Sequence, residues 1–90
     1  MGRYLVERTF PEGFALPADE TGAQICQELL ANNAEWGVVW VHSYVTLDKQ
    51  KLFCVCDAPS PEAIWLAAQR NGLPVDTIRE VRVLDPYFYR

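Results

Sequence analysis

The stretch "KLFCVCDAPSPEAIWLAAQRNGLPVDTIREVRVL", residues 51–84, contains a strand, a helix and a second strand in succession. Ser60 is a favoured N-cap residue, and Pro61 follows it at the first helical position. Gly72 and Pro74 stand at the other end, where a helix is terminated and cannot continue. The flanking segments "KLFCVCD" and "TIREVRVL" are rich in strand-forming residues, so the stretch predicts a strand–helix–strand unit.

The upstream half of the chain repeats this order without repeating the sequence. "RYLVERTF", residues 3–10, predicts a first strand, and a helix face recurs from about Asp19 or Thr21 to Glu35. Residues 38–47 predict a strand joined to the next by "DKQ". The complete order βαββαβ defines an α+β, ferredoxin-like fold: one four-stranded antiparallel sheet with both helices on one face. We therefore expect a single domain over residues 1–90, ending in an aromatic tail, residues 85–90, that packs on the sheet rim or on a partner.

Charge and hydropathy argue against two kinds of partner. The net charge of −4 and the scattered basic residues argue against nucleic acid. No apolar run approaches the ~20 residues that cross a bilayer, and the N-terminus lacks a signal-peptide pattern, so a cytoplasmic protein is expected. Cys26, Cys54 and Cys56 are then expected to remain reduced.

A sheet with helices on one side leaves its second face open, and strand alternation predicts which residues lie there. The side chains predicted under the helices are Tyr4, Val6, Val39, Val41, Phe53, Val55, Val81 and Val83. Those predicted on the open face are Glu7, Thr9, Trp40, His42, Tyr44, Cys54, Cys56, Glu80 and Arg82. This mixture of aromatic, thiol and charged groups is typical of a lined interior, so we expect two copies to join through it as a dimeric α/β-barrel.

The placement of the third strand depends on the length of the hairpin loop. A three-residue "DKQ" loop gives the assignment above. A two-residue turn would instead put Phe53 and Val55 beside His42 and remove both cysteines from the open face.

His42, the single histidine of the chain, is the centre of the candidate site. The residues predicted to line a ligand site are His42, Tyr44, Trp40, Glu7 and Glu80. A divalent metal would take His42, Cys54 and Glu7 as its donors. Each type of candidate side chain has a structural alternative. The histidine could be an interface residue, the thiols could only pack, and the carboxylates could be neutralised by Arg8 or Arg82.

The segments "GVVWVHSYV", "FCVCDAPSPEAI", "NGLPVD" and "IREVRVLDPYF" together resemble a bacterial family of small, nickel-binding, ferredoxin-like proteins of unknown function. The resemblance implies a ferredoxin-like fold, a dimer formed through the sheets, and a divalent-metal site for which nickel is the named ion. Such relatives have histidines in the first strand and after the second helix. The corresponding "VERTF" and "GLP" have none here, so no ligand is carried over residue by residue.

Three functions follow from these observations. The first is a cytoplasmic homodimer that binds a divalent metal or a small ligand on the open face. The second is a cofactor-free oxygenase or isomerase of the dimeric α/β-barrel kind, with His42 as base and Glu80 or Glu7 as its partner. The third is an interaction module whose aromatic face only makes the dimer.

Overall fold

A computed structural model of the chain describes residues 1–88. The elements in chain order are β1 (Gly2–Thr9), α1 (Glu20–Ala34), β2 (Val39–Val45), β3 (Lys51–Ala58), α2 (Pro61–Asn71) and β4 (Thr77–Glu80). The strands form one antiparallel sheet in the order β2-β3-β1-β4. This confirms the predicted βαββαβ ferredoxin-like arrangement. Neither helix within residues 1–88 has the length and apolar composition of a membrane span.

Both helices begin, and α2 also ends, at residues whose chemistry satisfies free backbone groups. The Asp19 carboxylate accepts a hydrogen bond from the Gly22 N–H at 3.1 Å, and the Ser60 hydroxyl accepts one from the Ala63 N–H at 3.2 Å. Gly72 ends α2 with φ of 69°, the left-handed conformation that glycine adopts without strain. The predicted caps of α2 are thus confirmed.

The core lies between the sheet and the helices and is built largely from small side chains. Buried residues from the strands are Tyr4, Val6, Leu52, Cys54, Cys56 and Ala58, and those from α2 are Ala63, Ile64, Ala67 and Ala68. Alanines on the helix therefore face cysteines and an alanine on β3. Small groups opposite small groups do not fill the space between the layers completely.

The hairpin between β2 and β3 has an even loop, and the predicted odd loop is wrong. The Thr46 N–H donates to the Lys51 carbonyl oxygen at 3.0 Å, which leaves four residues, 47–50, in the loop. The Asp48 carboxylate accepts from the Thr46 hydroxyl and the Gln50 N–H at 2.6 and 2.9 Å, and Lys49 adopts φ of 62°. These side-chain hydrogen bonds stabilise the four-residue loop, which does not need the glycine that a shorter turn would require.

The even loop reverses the predicted faces of β3. Tyr44 pairs with Phe53 and His42 with Val55, so both apolar residues lie on the open face beside them. Cys54 and Cys56 point towards the helices instead.

An irregularity in β2 reverses the predicted face of Trp40. Trp40 pairs with Cys56 and His42 with Val55, so Val41 is an extra residue without a partner in the register. The Trp40 indole N–H donates to the Ser43 hydroxyl at 2.8 Å on the helix side of the sheet. Val39 and Val41, predicted under the helices, are 52% and 41% exposed.

The fourth strand is shorter than the predicted one because β1, the strand that it pairs with, ends. Glu80 pairs with Tyr4, and one further bond joins the Val81 N–H to the Arg3 carbonyl oxygen at 2.9 Å. By the same register Arg82 falls opposite Gly2, the first residue of β1, so β1 offers no partner to residues 83–84. Val83, predicted under the helices, is 71% exposed.

The aromatic tail does not pack on its own chain over the described residues. Tyr87 and Phe88 are 88% and 73% exposed. The Asp85 carboxylate accepts a hydrogen bond from the Tyr87 N–H at 2.9 Å, which makes a turn at the start of the tail. Residues 89–90 of the predicted tail lie outside the described part of the chain.

Candidate functional site

The open face is the sheet surface turned away from the helices, and its side chains form cross-strand rows. One row runs through His42, Val55, Leu5 and Arg79, and the next through Tyr44, Phe53, Glu7 and Thr77. The centre of the face is thus apolar and aromatic, with charged groups at its sides.

His42 is exposed on this face and contacts the ring of Tyr44. The two ring centroids are 5.1 Å apart, with the planes at 85°, an edge-to-face arrangement. The side chain is exposed, and the imidazole makes no side-chain hydrogen bond within residues 1–88. An accessible imidazole can bind a metal or accept a proton.

Glu7 shares the open face with His42 but is not in reach of it. Its carboxylate accepts a hydrogen bond from the Lys51 ammonium group at 2.9 Å. β3 lies between the two strands, so the backbones at Glu7 and His42 are about 10 Å apart across the sheet. The hydrogen bond from Lys51 fixes Glu7 as an ion-pair partner, and the same bond raises the pKa of Lys51. The neutralised-carboxylate alternative thus applies to Glu7, with Lys51 in place of the expected arginines.

Cys54 lies on the opposite face, so the predicted metal set of His42, Cys54 and Glu7 is not brought together. Cys54 and Cys56 are 5% and 4% exposed. Burial raises the pKa of Cys56 to about 11, which keeps that thiol protonated at neutral pH. No group of three His, Cys, Asp or Glu side chains suited to a metal occurs within residues 1–88. The described residues of one chain therefore do not fit a nickel ion by themselves.

Glu80 and Trp40 also leave the predicted ligand site. Glu80 lies on the helix side of β4, opposite Tyr4, so the prediction that it shares the open face with Glu7 is wrong. Burial and then the charge of Glu80 raise the pKa of Tyr4. Of the five predicted ligand-site residues, His42, Tyr44 and Glu7 share the open face, and neither carboxylate can act as the partner of His42. Their role in binding stays a prediction.

Sequence reasoning missed a cavity on the covered face, which is the sheet surface under the helices. The cavity has a volume of about 210 Å³, and its lining includes Trp40, Cys54 and Arg8. Two features of the sequence indicate this cavity. The alanines of "AIWLAAQ" leave room under α2, and the alternation that places Tyr4 and Val6 inward also places Arg8 inward.

The fold and the open face define a small ferredoxin-like protein with one exposed imidazole on an unpaired sheet surface. The chain belongs to the family described as nickel responsive protein SCO4226-like, whose model matches residues 4–81. The family resemblance predicted from the hairpin and second-helix motifs is thereby confirmed.

A solved structure supports the same fold. The crystal structure of SCO4226 from Streptomyces coelicolor A3(2) matches with a TM-score of 0.73 and 20% identity, over 92% of this chain and 99% of that one. Identity at this level shows a shared fold and leaves residue roles to be argued from this chain. A comparison with curated proteins finds no match.

Proposed function

We propose that this protein is a cytoplasmic homodimer that binds nickel or a similar divalent ion at a site made from both chains, with His42 as its imidazole ligand. One observation carries the proposal: His42, the single imidazole of the chain, is exposed on the open face. No group of three His, Cys, Asp or Glu side chains suited to a metal occurs within residues 1–88, so further donors would come from a second copy. The family's description as nickel responsive supplies the ion.

The apolar character of the open side supports a protein partner for it. Tyr44 is 64% exposed and Val39 is 52% exposed. The segment after β4 adds further exposed apolar side chains, namely Val83, Leu84, Tyr87 and Phe88. A monomer of this size rarely leaves so much apolar surface in water, and a small domain gains stability by covering it.

The charges of the open face favour a second copy as that partner. Arg3 holds Asp57 with two hydrogen bonds of 2.8 and 3.0 Å, and Lys51 holds Glu7 at 2.9 Å. Each of these charges is already paired within its own chain. An identical face can therefore approach without bringing two unpaired like charges together. A two-fold dimer makes each contact twice, so an apolar centre between neutral pairs is self-complementary.

Nickel suits an interface of this composition. It accepts imidazole nitrogen and oxygen donors, and its sites need several of them in octahedral or square geometry. A single His42 provides one strong donor, and a facing copy would add a second imidazole and a second Tyr44 phenol to the same space. The three unpaired cysteines are consistent with a reducing compartment.

Native mass spectrometry of untagged protein, stripped with chelator and reloaded with nickel, tests the proposal. The wild type is expected as a nickel-bearing dimer, and His42→Ala as a dimer without nickel. Val55→Lys places a charge on the apolar centre of the open face and is expected to give a folded monomer without nickel. If Val55→Lys loses dimerisation and nickel binding together, the site is made from both chains. A site made by a single chain would still bind nickel in the monomer.

Two control variants separate these effects from accidental ones. Cys26→Ser removes the most accessible thiol, on α1, and is expected to keep nickel uptake. Leu66→Lys adds the same charge to a partly exposed position of α2 away from the open face and is expected to stay dimeric. Nickel bound by monomeric Val55→Lys, or retained by His42→Ala, would contradict the shared site, and a monomeric wild type would contradict the dimer.

A further inference from the structure

Arg8 is a buried cation without a carboxylate partner in the described part of the chain. The residue is 6% exposed. One terminal nitrogen, Nη1, donates to the Pro74 carbonyl oxygen at 2.8 Å, but the Nε–H finds no acceptor within residues 1–88. None of the ion pairs found among these residues includes Arg8.

A guanidinium stays charged at every physiological pH, so burial cannot neutralise it. A buried charge without a counterion is costly, and an unused N–H adds to that cost. The neighbouring thiol does not supply the negative charge, because Cys56 is protonated at neutral pH. An anion that enters from outside would supply the missing negative charge.

The space beside Arg8 is shaped for an apolar group. The cavity of about 210 Å³ is lined by Val38 and Trp40 of the β2 side, Cys54 of β3, and Ile64 and Ala67 of α2. It is larger than the ~150 Å³ apolar cavity that admits benzene, so one ring with a short arm fits. Val45 also lines the cavity and is half-exposed, which places an opening at the end of β2.

We propose that the cavity of the covered face binds a compact apolar monocarboxylate, with its ring or branched chain between α2 and the sheet and its carboxylate on Arg8. The guanidinium would donate from its terminal Nη atoms to the carboxylate, a charge-assisted bond that a neutral amide cannot match. This site is separate from the open face, because the sheet lies between Arg8 and His42. It therefore stands or falls independently of the nickel site.

Isothermal titration calorimetry in nickel-free buffer with chelator tests the proposal, using 3-phenylpropionate and its neutral analogue 3-phenylpropionamide as probes. The wild type is expected to bind the acid about tenfold or more tightly than the amide. Arg8→Met removes the charge but keeps an unbranched apolar side chain, and it is expected to bind the two probes equally. Arg79→Met, an exposed arginine on the open face, is the matched control and should keep the preference.

A second variant tests the cavity itself without changing charge. Ala67→Leu fills the space from α2 and is expected to abolish binding of both probes, with an unchanged circular dichroism spectrum showing that the fold is kept. Equal affinity of the wild type for acid and amide would overturn the proposal. So would a preference for the acid that survives in Arg8→Met, or a wild type that binds neither probe at millimolar concentration.

Discussion

On the open face of the sheet, Arg3 and Lys51 each form an ion pair with a carboxylate, whereas on the covered face Arg8 donates a hydrogen bond only to the Pro74 carbonyl oxygen among the described residues. Exposed cations are well solvated, so these two ion pairs contribute little to stability, and their effect here is to neutralise the charges of Asp57 and Glu7. A buried cation has no solvent to share its charge. This difference underlies the two proposals: a second chain on the open face and a small anion under the covered face.

The largest expected difference between the faces is in thiol reactivity. Cys54 and Cys56 lie on the covered face, and the raised pKa of Cys56, about 11, leaves only about one thiolate in a thousand at pH 8. Cys26, on α1, is partly exposed. We expect iodoacetamide to modify Cys26 at least a hundredfold faster than the other two, as followed by mass spectrometry, because the buried pair reacts only after the structure opens.

The control for this measurement is the same reaction in concentrated urea, where all three thiols should react at similar rates. Three fast thiols in the folded protein would mean that the cysteines do not lie under the helices.

A matched pair of valines compares the two faces in stability. Val6 is 0% exposed on the covered face, while Val55 is partly exposed on the open one. Val6→Ala is expected to lower the free energy of unfolding by about 2–3 kcal/mol, from lost burial and the space left behind. Val55→Ala should cost less than about 1 kcal/mol in dilute protein. Urea unfolding monitored by circular dichroism measures both.

Protein concentration is expected to affect the unfolding free energies of these two variants differently. If the open face forms the dimer, the cost of Val55→Ala grows with concentration, since the wild type then gains from association. The cost of Val6→Ala should not change. A concentration-independent result for Val55→Ala would argue against an interface there.

The smallest expected effect concerns the ion pair at one end of the open face. Hydrogen bonds from Arg3 hold the pKa of Asp57 below its usual value. A carboxylate with a lowered folded-state pKa stabilises the fold above its unfolded pKa, about 3.9, and this contribution disappears as pH falls through the folded-state pKa. Asp57→Asn should therefore be less stable than the wild type at pH 7, with the difference closing below about pH 4.

Thermal unfolding across pH checks this prediction, with Glu28→Gln, an exposed residue of α1, as the control. A difference between Asp57→Asn and the wild type that stays constant down to pH 2.5 would show that Asp57 does not act through its charge.

The order of the elements could be predicted from the sequence because its signals are local. Ser60, Pro61 and Gly72 fix the ends of α2 through groups within one helical turn. β-Branched and aromatic residues at alternate positions indicate the strands in the same local way. Such signals depend little on the rest of the fold.

The faces of the strands could not be predicted as well, because alternation is reversed by a single residue. The extra residue Val41 reversed Trp40, and a four-residue loop in place of three reversed Cys54. The face of Glu80 is set by its pairing with Tyr4, a long-range contact that its own segment does not encode. The candidate site therefore contains different residues from those predicted, whereas the fold is the predicted one.

The two faces are proposed to bind different ligands independently. Calorimetric titration of wild type, His42→Ala and Arg8→Met with nickel, and then with 3-phenylpropionate and 3-phenylpropionamide, tests this independence. We predict that His42→Ala loses nickel and keeps the carboxylate, while Arg8→Met loses the preference for the carboxylate and keeps nickel. If either variant, with an unchanged circular dichroism spectrum, loses both ligands, or if neither variant loses its own, the claim is contradicted.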